Sequence, residues 1–263
     1  MNQKLLIIFY LTLAVLTITV VSAVPSGPTT DINPIKSERW SIWAPKTVAA
    51  EAGNVTEFNT DGSTITRTWQ GYFGNITGKI TLGDSVNNTL YDWNLASPQG
   101  EIYAVRNAAV PAWTSVVCAS QAELQAEDLA LGANESIDED SVNRTFVVGG
   151  APDQLARYAG SDFSHPLFYV ANQTIVENSC PVATMYNSSS MPSPYFKEVM
   201  LSDGSANMIY TAIIAHTLNP FAESDGFDQR THDFEMIVGE NGHGNDIGPS
   251  SIISTYWFYL ELE

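Results

Sequence analysis

Three of the chain's four histidines, His216, His232 and His243, fall within one acidic stretch that also holds Glu223, Asp225, Asp228, Asp233, Glu235, Glu240 and Asp246. Imidazole nitrogens and carboxylate oxygens at such density point to two metal chemistries. Glu223, Asp225 and Asp228 would offer hard oxygens to calcium, though without the loop spacing of an EF-hand. His232, Glu235 and His243 would suit zinc or another transition metal, which takes mixed nitrogen and oxygen ligands and could support hydrolysis. The plainer reading is two solvated acidic loops around a strand at 233–238, with Gly226, Gly242, Gly244 and Gly248 making the turns. No catalytic residue is assigned: there is no His-Glu-x-x-His, Gly-x-Ser-x-Gly, phosphate-loop or Cys-x-x-Cys motif.

The remaining chemistry belongs to the cysteines and to seven Asn-x-Ser/Thr triplets. Cys118 and Cys180 are the only two cysteines. After an export signal an even count predicts one disulfide, which ties the first strand series to the second half of the chain. The triplets begin at Asn54, Asn75, Asn87, Asn134, Asn143, Asn172 and Asn187. Several lie in predicted turns, where a glycan would fit.

The elements that must position these residues read as strands. Ile76 to Leu82 alternates apolar and polar, as a half-buried strand does. Ser63 to Tyr72 precedes it, and Gly74-Asn75 predicts a tight hairpin between the two. This aromatic-rich hairpin, with Trp93 and Trp113 nearby, is the expected core. Asp61-Gly62 and Asp203-Gly204 predict further hairpins, and a short strand is expected at 54–59. Strands are also expected at 90–95, 101–106, 113–118, 146–148, 167–171, 195–201, 208–215, 233–238 and 252–262. The stretch 208–215 is apolar almost throughout, so it should be a central strand covered on both faces. One helix is predicted at 121–131, where Ser120 and Glu123 form a capping box and Gly132 ends the run. The fold class is therefore all-β, a mostly antiparallel β-sandwich with one short helix.

Residues 1–23 read as a secretory signal peptide: Lys4, an apolar run, and the small-residue exit Val21-Ser22-Ala23. The alternative is retention of this segment as a membrane anchor. Residues 24–46 carry Pro25, Pro28, Pro34 and Pro45 and read as an extended leader, with Trp40 and Trp43 docking it on the body. The body is 47–263, with 47–119 and 140–263 as candidate subdomains joined by the helix and an acidic loop. The chain has 29 acidic against 11 basic side chains, a formal charge of −18. A surface of that sign repels phosphate backbones and excludes nucleic acid as a partner.

Trp69-Gln70-Gly71-Tyr72-Phe73-Gly74-Asn75-Ile76-Thr77-Gly78, with Tyr91-Asp92-Trp93, Pro98 to Ala104 and Asp233 to Glu240, resembles a set of secreted archaeal proteins. The resemblance implies an extracellular envelope protein and supplies no catalytic residues. The expected function is a non-enzymatic subunit of a surface filament or coat, whose partners are copies of itself or other surface proteins. A carbohydrate-binding adhesin with glycan partners is the alternative, and a metal-dependent hydrolase the second. No cofactor is required; calcium is the candidate ion for the acidic loops, and zinc or another transition metal enters only with the hydrolase alternative.

Overall fold

The structure, a computed structural model, describes residues 24–27, 32, 34–39, 44–106, 111–133, 138–148, 163–205, 207–220, 223–241 and 254–263. The signal segment, Trp40, Trp43, Asn134, His243 and Asp246 lie outside them.

The strands are β1 (Trp69–Gly74), β2 (Gly78–Gly83), β3 (Thr89–Leu95), β4 (Gly100–Val105), β5 (Val117–Cys118), β6 (Val147–Val148), β7 (Phe168–Val170), β8 (Gln173–Ile175), β9 (Pro181–Tyr186), β10 (Pro192–Ser202), β11 (Met208–Ile213), β12 (Phe234–Gly239) and β13 (Trp257–Leu262). The helices are α1 (Gln121–Ala130), α2 (Val142–Thr145) and α3 (Ala215–Leu218), with a single 3-10 turn at Trp113–Ser115. The fold is all-β and antiparallel. A seven-stranded sheet runs β13-β4-β11-β10-β9-β6, with β5 also paired to β10.

Strand periodicity sorts this sheet's side chains onto two faces. Tyr103, Val105, Val199, Leu201, Ile209 and Ile213 face a core completed by Trp113, Phe168, Val170 and Ile175. The 3-10 turn and the β7–β8 hairpin cover that side. Ala104, Met200, Tyr210 and Ala212 face the opposite core, where they meet Leu124 of α1, Val142 of α2, and Met236 and Val238 of β12. The β1–β12 ribbon and the helices are thus the third layer of a sandwich. All six residues of β11 are buried, as its apolar run requires. The aromatic row of β13 divides by the same rule. Tyr256 and Phe258 pack against the β12 side, while Tyr259 stands 5.2 Å from Trp113 on the other.

Helix α1 has the predicted start: Ser120 accepts from the Glu123 N–H, and the Glu123 side chain returns to the Ser120 N–H at 2.7 Å. Glu127 holds it on the sheet, accepting from Arg106 at 2.7 Å and from the Tyr210 hydroxyl at 3.1 Å. Asp128 accepts from the Val142 and Asn143 N–H groups and so caps α2 from outside. The disulfide forms, with Cys118 and Cys180 Cα atoms 4.8 Å apart. It joins β5 to the chain entering β9, two strands that share one edge of β10.

Several expectations are overturned. Gly74-Asn75 does not turn a hairpin: β1 pairs with β12, and β2 with β3. The backbone groups that would have closed the turn are taken by the foot of β12, since the Asp233 N–H donates to the Gly74 carbonyl at 2.9 Å and the Asp233 carboxylate accepts from the Ile76 N–H at 2.6 Å. The aromatic stretch is divided: Trp69 packs against the α1 and β12 core and Trp113 against the other, but among the described residues Ile80, Leu82, Tyr91 and Trp93 of β2–β3 are half exposed or more. Asp61-Gly62 joins no strands, and 54–59 is not one; residues 44–64 are exposed and have no regular strand or helix. The candidate subdomains share a sheet, with β4 of the first inserted between β11 and β13 of the second.

Candidate functional site

The loop 223–233 gathers most of the described site residues. It leaves α3, turns through an isolated bridge between Asp225 and Thr231, and enters β12. His216, on α3, is brought to its base. The His216 Nε2 atom lies 3.8 Å from Glu223 Oε1 and 3.8 Å from Asp233 Oδ1. These are the only three His, Cys, Asp or Glu side chains among the described residues whose ligand atoms converge, all within 4.8 Å of one another. Asp233 is fixed on three sides, through its own N–H, its carbonyl, which accepts from Ala215 at 2.7 Å, and its Oδ2 on Ile76.

The predicted calcium ligands are therefore divided. Glu223 faces His216. Asp225 is exposed in the bridge. Asp228 is occupied within the protein, accepting from Arg230 Nε at 2.6 Å and sharing a 2.8 Å hydrogen bond with His232 Nε2. Desolvation acts to raise the Asp228 carboxyl, but hydrogen bonds from Arg230 and His232 outweigh it and hold it down at about 2.

Of the predicted zinc set, His232 and Glu235 lie side by side under Gly226, where an added Cβ would collide with both. His232 is turned to Asp228, and Phe73 and Phe227 stack beside it with Phe73 4.8 Å away. Glu235 accepts from the Phe227 N–H at 2.9 Å. Burial pushes its carboxyl up to about 7, against that hydrogen bond and with the Asp228 charge adding to the rise. This arrangement holds the Gly226–Phe227 turn of the loop in place.

A different surface is presented by β2–β3. Among the described strands the two pair only with each other. Leu90 is 79% exposed, Tyr91 57% and Trp93 50%, with Ile80 and Leu82 similarly open on β2. Tyr91 and Trp93 lie two apart on one face with ring centres 4.7 Å apart. Lys79 on β2 neutralises Asp92 on β3 at 2.6 Å. At the root, Gly78 lies against Leu262 of β13 and Leu95 of β3.

The glycan acceptor positions divide as well. Asn54, Asn75, Asn87 and Asn172 are exposed, and Asn187 is half-buried. Asn143 is buried and its side chain bonds Gln121, so the folded chain has no room for a glycan there. No described helix is long and apolar enough to cross a membrane.

Fold and site together define a disulfide-stapled antiparallel β protein with an exposed apolar hairpin and a histidine–carboxylate cluster. Comparisons with protein families, with curated proteins and with solved structures find no match. The convergence of His216 with Glu223 and Asp233 has no sequence signal, because separations of 7 and 10 residues follow no metal-ligand motif. It arises where α3 follows β11 and meets the foot of β12.

Proposed function

We propose that this chain is a secreted, non-enzymatic subunit of a surface filament or coat, and that copies join through β2–β3. The observation that carries this is the exposed apolar hairpin. A lone two-stranded ribbon is marginal in water, and a row of exposed leucine, isoleucine, tyrosine and tryptophan on it is a surface waiting to be covered. Its strand edges add backbone donors and acceptors that a neighbouring strand could pair. Charge supports a second copy as the occupant. The whole chain carries −18, so two copies repel over most of their surfaces. The hairpin, with Lys79 set against Asp84 and Asp92, is close to neutral.

The leader contributes less than its length suggests. Ser26 pairs with Leu260 on the outer side of β13, donating at 3.1 Å and accepting at 2.8 Å. That leader residue covers its own sheet edge, not a neighbour's. Secretion rests on the residues 1–23 pattern and on the disulfide, which suits an oxidising compartment.

Sedimentation and electron microscopy of the chain without residues 1–23 test the proposal. We expect concentration-dependent assembly that Tyr91→Ser with Trp93→Ser abolishes while the melting temperature is kept. A chain that stays monomeric at high concentration defeats the reading. The exposed Tyr91–Trp93 pair also favours the adhesin, since aromatic faces stack on sugar rings. A glycan array that retains the monomeric chain through those two residues would establish that alternative instead.

A further inference from the structure

We infer that His216 Nε2, Glu223 Oε1 and Asp233 Oδ1 form the protein side of a divalent transition-metal site that clasps the 223–233 loop to the foot of β12. The inference does not depend on the role of the hairpin.

The histidine carries the argument. The His216 side chain is only 7% exposed, and its Nδ1 has no hydrogen-bond partner. Its Nε2 is aimed between two carboxylate oxygens, each 3.8 Å away. That distance is too long for a hydrogen bond. It is short enough to be spanned by an ion bound at about 2.0–2.2 Å to each partner. Among the described residues Nε2 has only these two approaches, too long for hydrogen bonds, so it is available for a metal bond. Two carboxylates facing each other across the gap supply the charge that a divalent cation neutralises.

The surroundings support the same reading. Asp233 Oδ2 accepts from the Ile76 N–H at 2.6 Å, which orients Oδ1 toward His216 as an outer-shell partner orients a metal ligand. Glu223 is exposed, so it can swing to close the third side. One nitrogen and two oxygens select against calcium and magnesium, which take oxygen ligands, and suit zinc or manganese. With three protein ligands, water would complete the coordination on the exposed side.

The position says what the ion would do. His216 follows β11, Glu223 opens the loop, and Asp233 begins β12. An ion at their meeting point ties both ends of the loop together. Through Asp233 and Ile76 it also braces the chain that leads into β2.

The test uses the chain from 24 to 263, stripped with a chelator and titrated calorimetrically with Zn2+, Mn2+ and Ca2+. The expected result is one Zn2+ per chain, tighter than Mn2+, with Ca2+ weakest. Saturating Zn2+ should raise the melting temperature by roughly 5 °C. Glu223→Gln, at an exposed position that leaves folding intact, should weaken Zn2+ by about tenfold or more. His216→Asn should do the same, and Co2+ bound to the parent chain should show a ligand-field spectrum that both variants lose. Asp228→Asn, in the neighbouring cluster, should leave Zn2+ binding unchanged. The inference fails if no saturable Zn2+ binding occurs, if Ca2+ binds as tightly as Zn2+, or if Asp228→Asn removes the binding and Glu223→Gln does not. It also fails if His216 acts as an imidazolium between the two carboxylates, in which case the chelator leaves the melting temperature unchanged and Zn2+ does not raise it.

Discussion

Glu235 shows how a single buried carboxyl sets a pH response. Its folded value of about 7 lies above the ordinary 4.5. The folded chain therefore keeps a proton that the unfolded chain gives up. Stability from this group is complete below pH 4.5 and declines as pH rises toward 7, by about 3 kcal/mol at most. Two other acids act in the same direction. Glu198 is fully buried on β10; burial raises it well above the usual range, against a hydrogen bond from the Ile237 N–H. Glu101 sits opposite Glu261 across the β4–β13 pair, both 1% exposed. Burial raises Glu101 first, and the charges of Glu263 and Glu261 add to it. Asp228 acts oppositely at lower pH: its value is depressed to about 2, so its contribution is present above 3.8 and is lost on acidification. We expect melting temperature to fall between pH 4.5 and 7, and Glu235→Gln to flatten that fall while keeping the Phe227 hydrogen bond. Parallel curves for parent and variant would show that Glu235 does not set the slope.

Among the elements, β4 depends on its first residue. Gly100 has φ +119°, and a Cβ there would run into the Glu261 carbonyl of β13. Its N–H donates to Thr217 Oγ1 at 2.9 Å, and its carbonyl accepts from Ile214 at 2.9 Å. The backbone can neither relax its dihedral nor move away. Gly100→Ala should cost more than about 2 kcal/mol, measured by urea denaturation, because strain and a backbone clash add. Gly78 differs, since its obstacle is the end of the Leu262 side chain, which can move. The capping box offers a milder case. Ser120→Ala should cost about 1 kcal/mol, as N-cap losses do, and Glu123 would also lose its hydrogen bond from the Ser120 hydroxyl.

On the scale of the whole molecule, the disulfide determines how the cover on one face is held. β5 meets β10 at only two residues, Cys118 and Val117. His165, one residue from Pro166 and buried beneath the same layer, accepts from the Cys180 N–H at 3.1 Å. The bridge closes 62 positions of chain, and the loss of such a crosslink typically costs about 2–5 kcal/mol. Replacing both cysteines by serine should lower the urea midpoint accordingly and leave the α1 and β12 side intact. Hydrogen exchange would show this as faster opening of β5, β7 and β8 alone. Uniform loosening of both faces would mean that the sandwich opens as one unit.

What the sequence determined by itself was local or redox in origin. The Ser120–Glu123 box specified α1 because both partners lie within one turn. The almost wholly apolar run of 208–215 specified a strand buried on two faces, realised at Met208–Ile213, because alternation is the only register a half-exposed strand can show. Two cysteines could pair in only one way. Tertiary structure decided the rest. Ile76 to Leu82 alternates as a covered strand would, yet Ile80 and Leu82 are half exposed, since periodicity shows that two faces differ and not whether a layer lies over either. Gly74-Asn75 has the residues of a hairpin, but Asp233 takes its backbone groups from 157 positions away. The place of β4 between β11 and β13, and the meeting of His216, Glu223 and Asp233, likewise depend on non-local pairing. Pairings between distant segments are chosen by the whole chain's burial, and no window of residues carries that information.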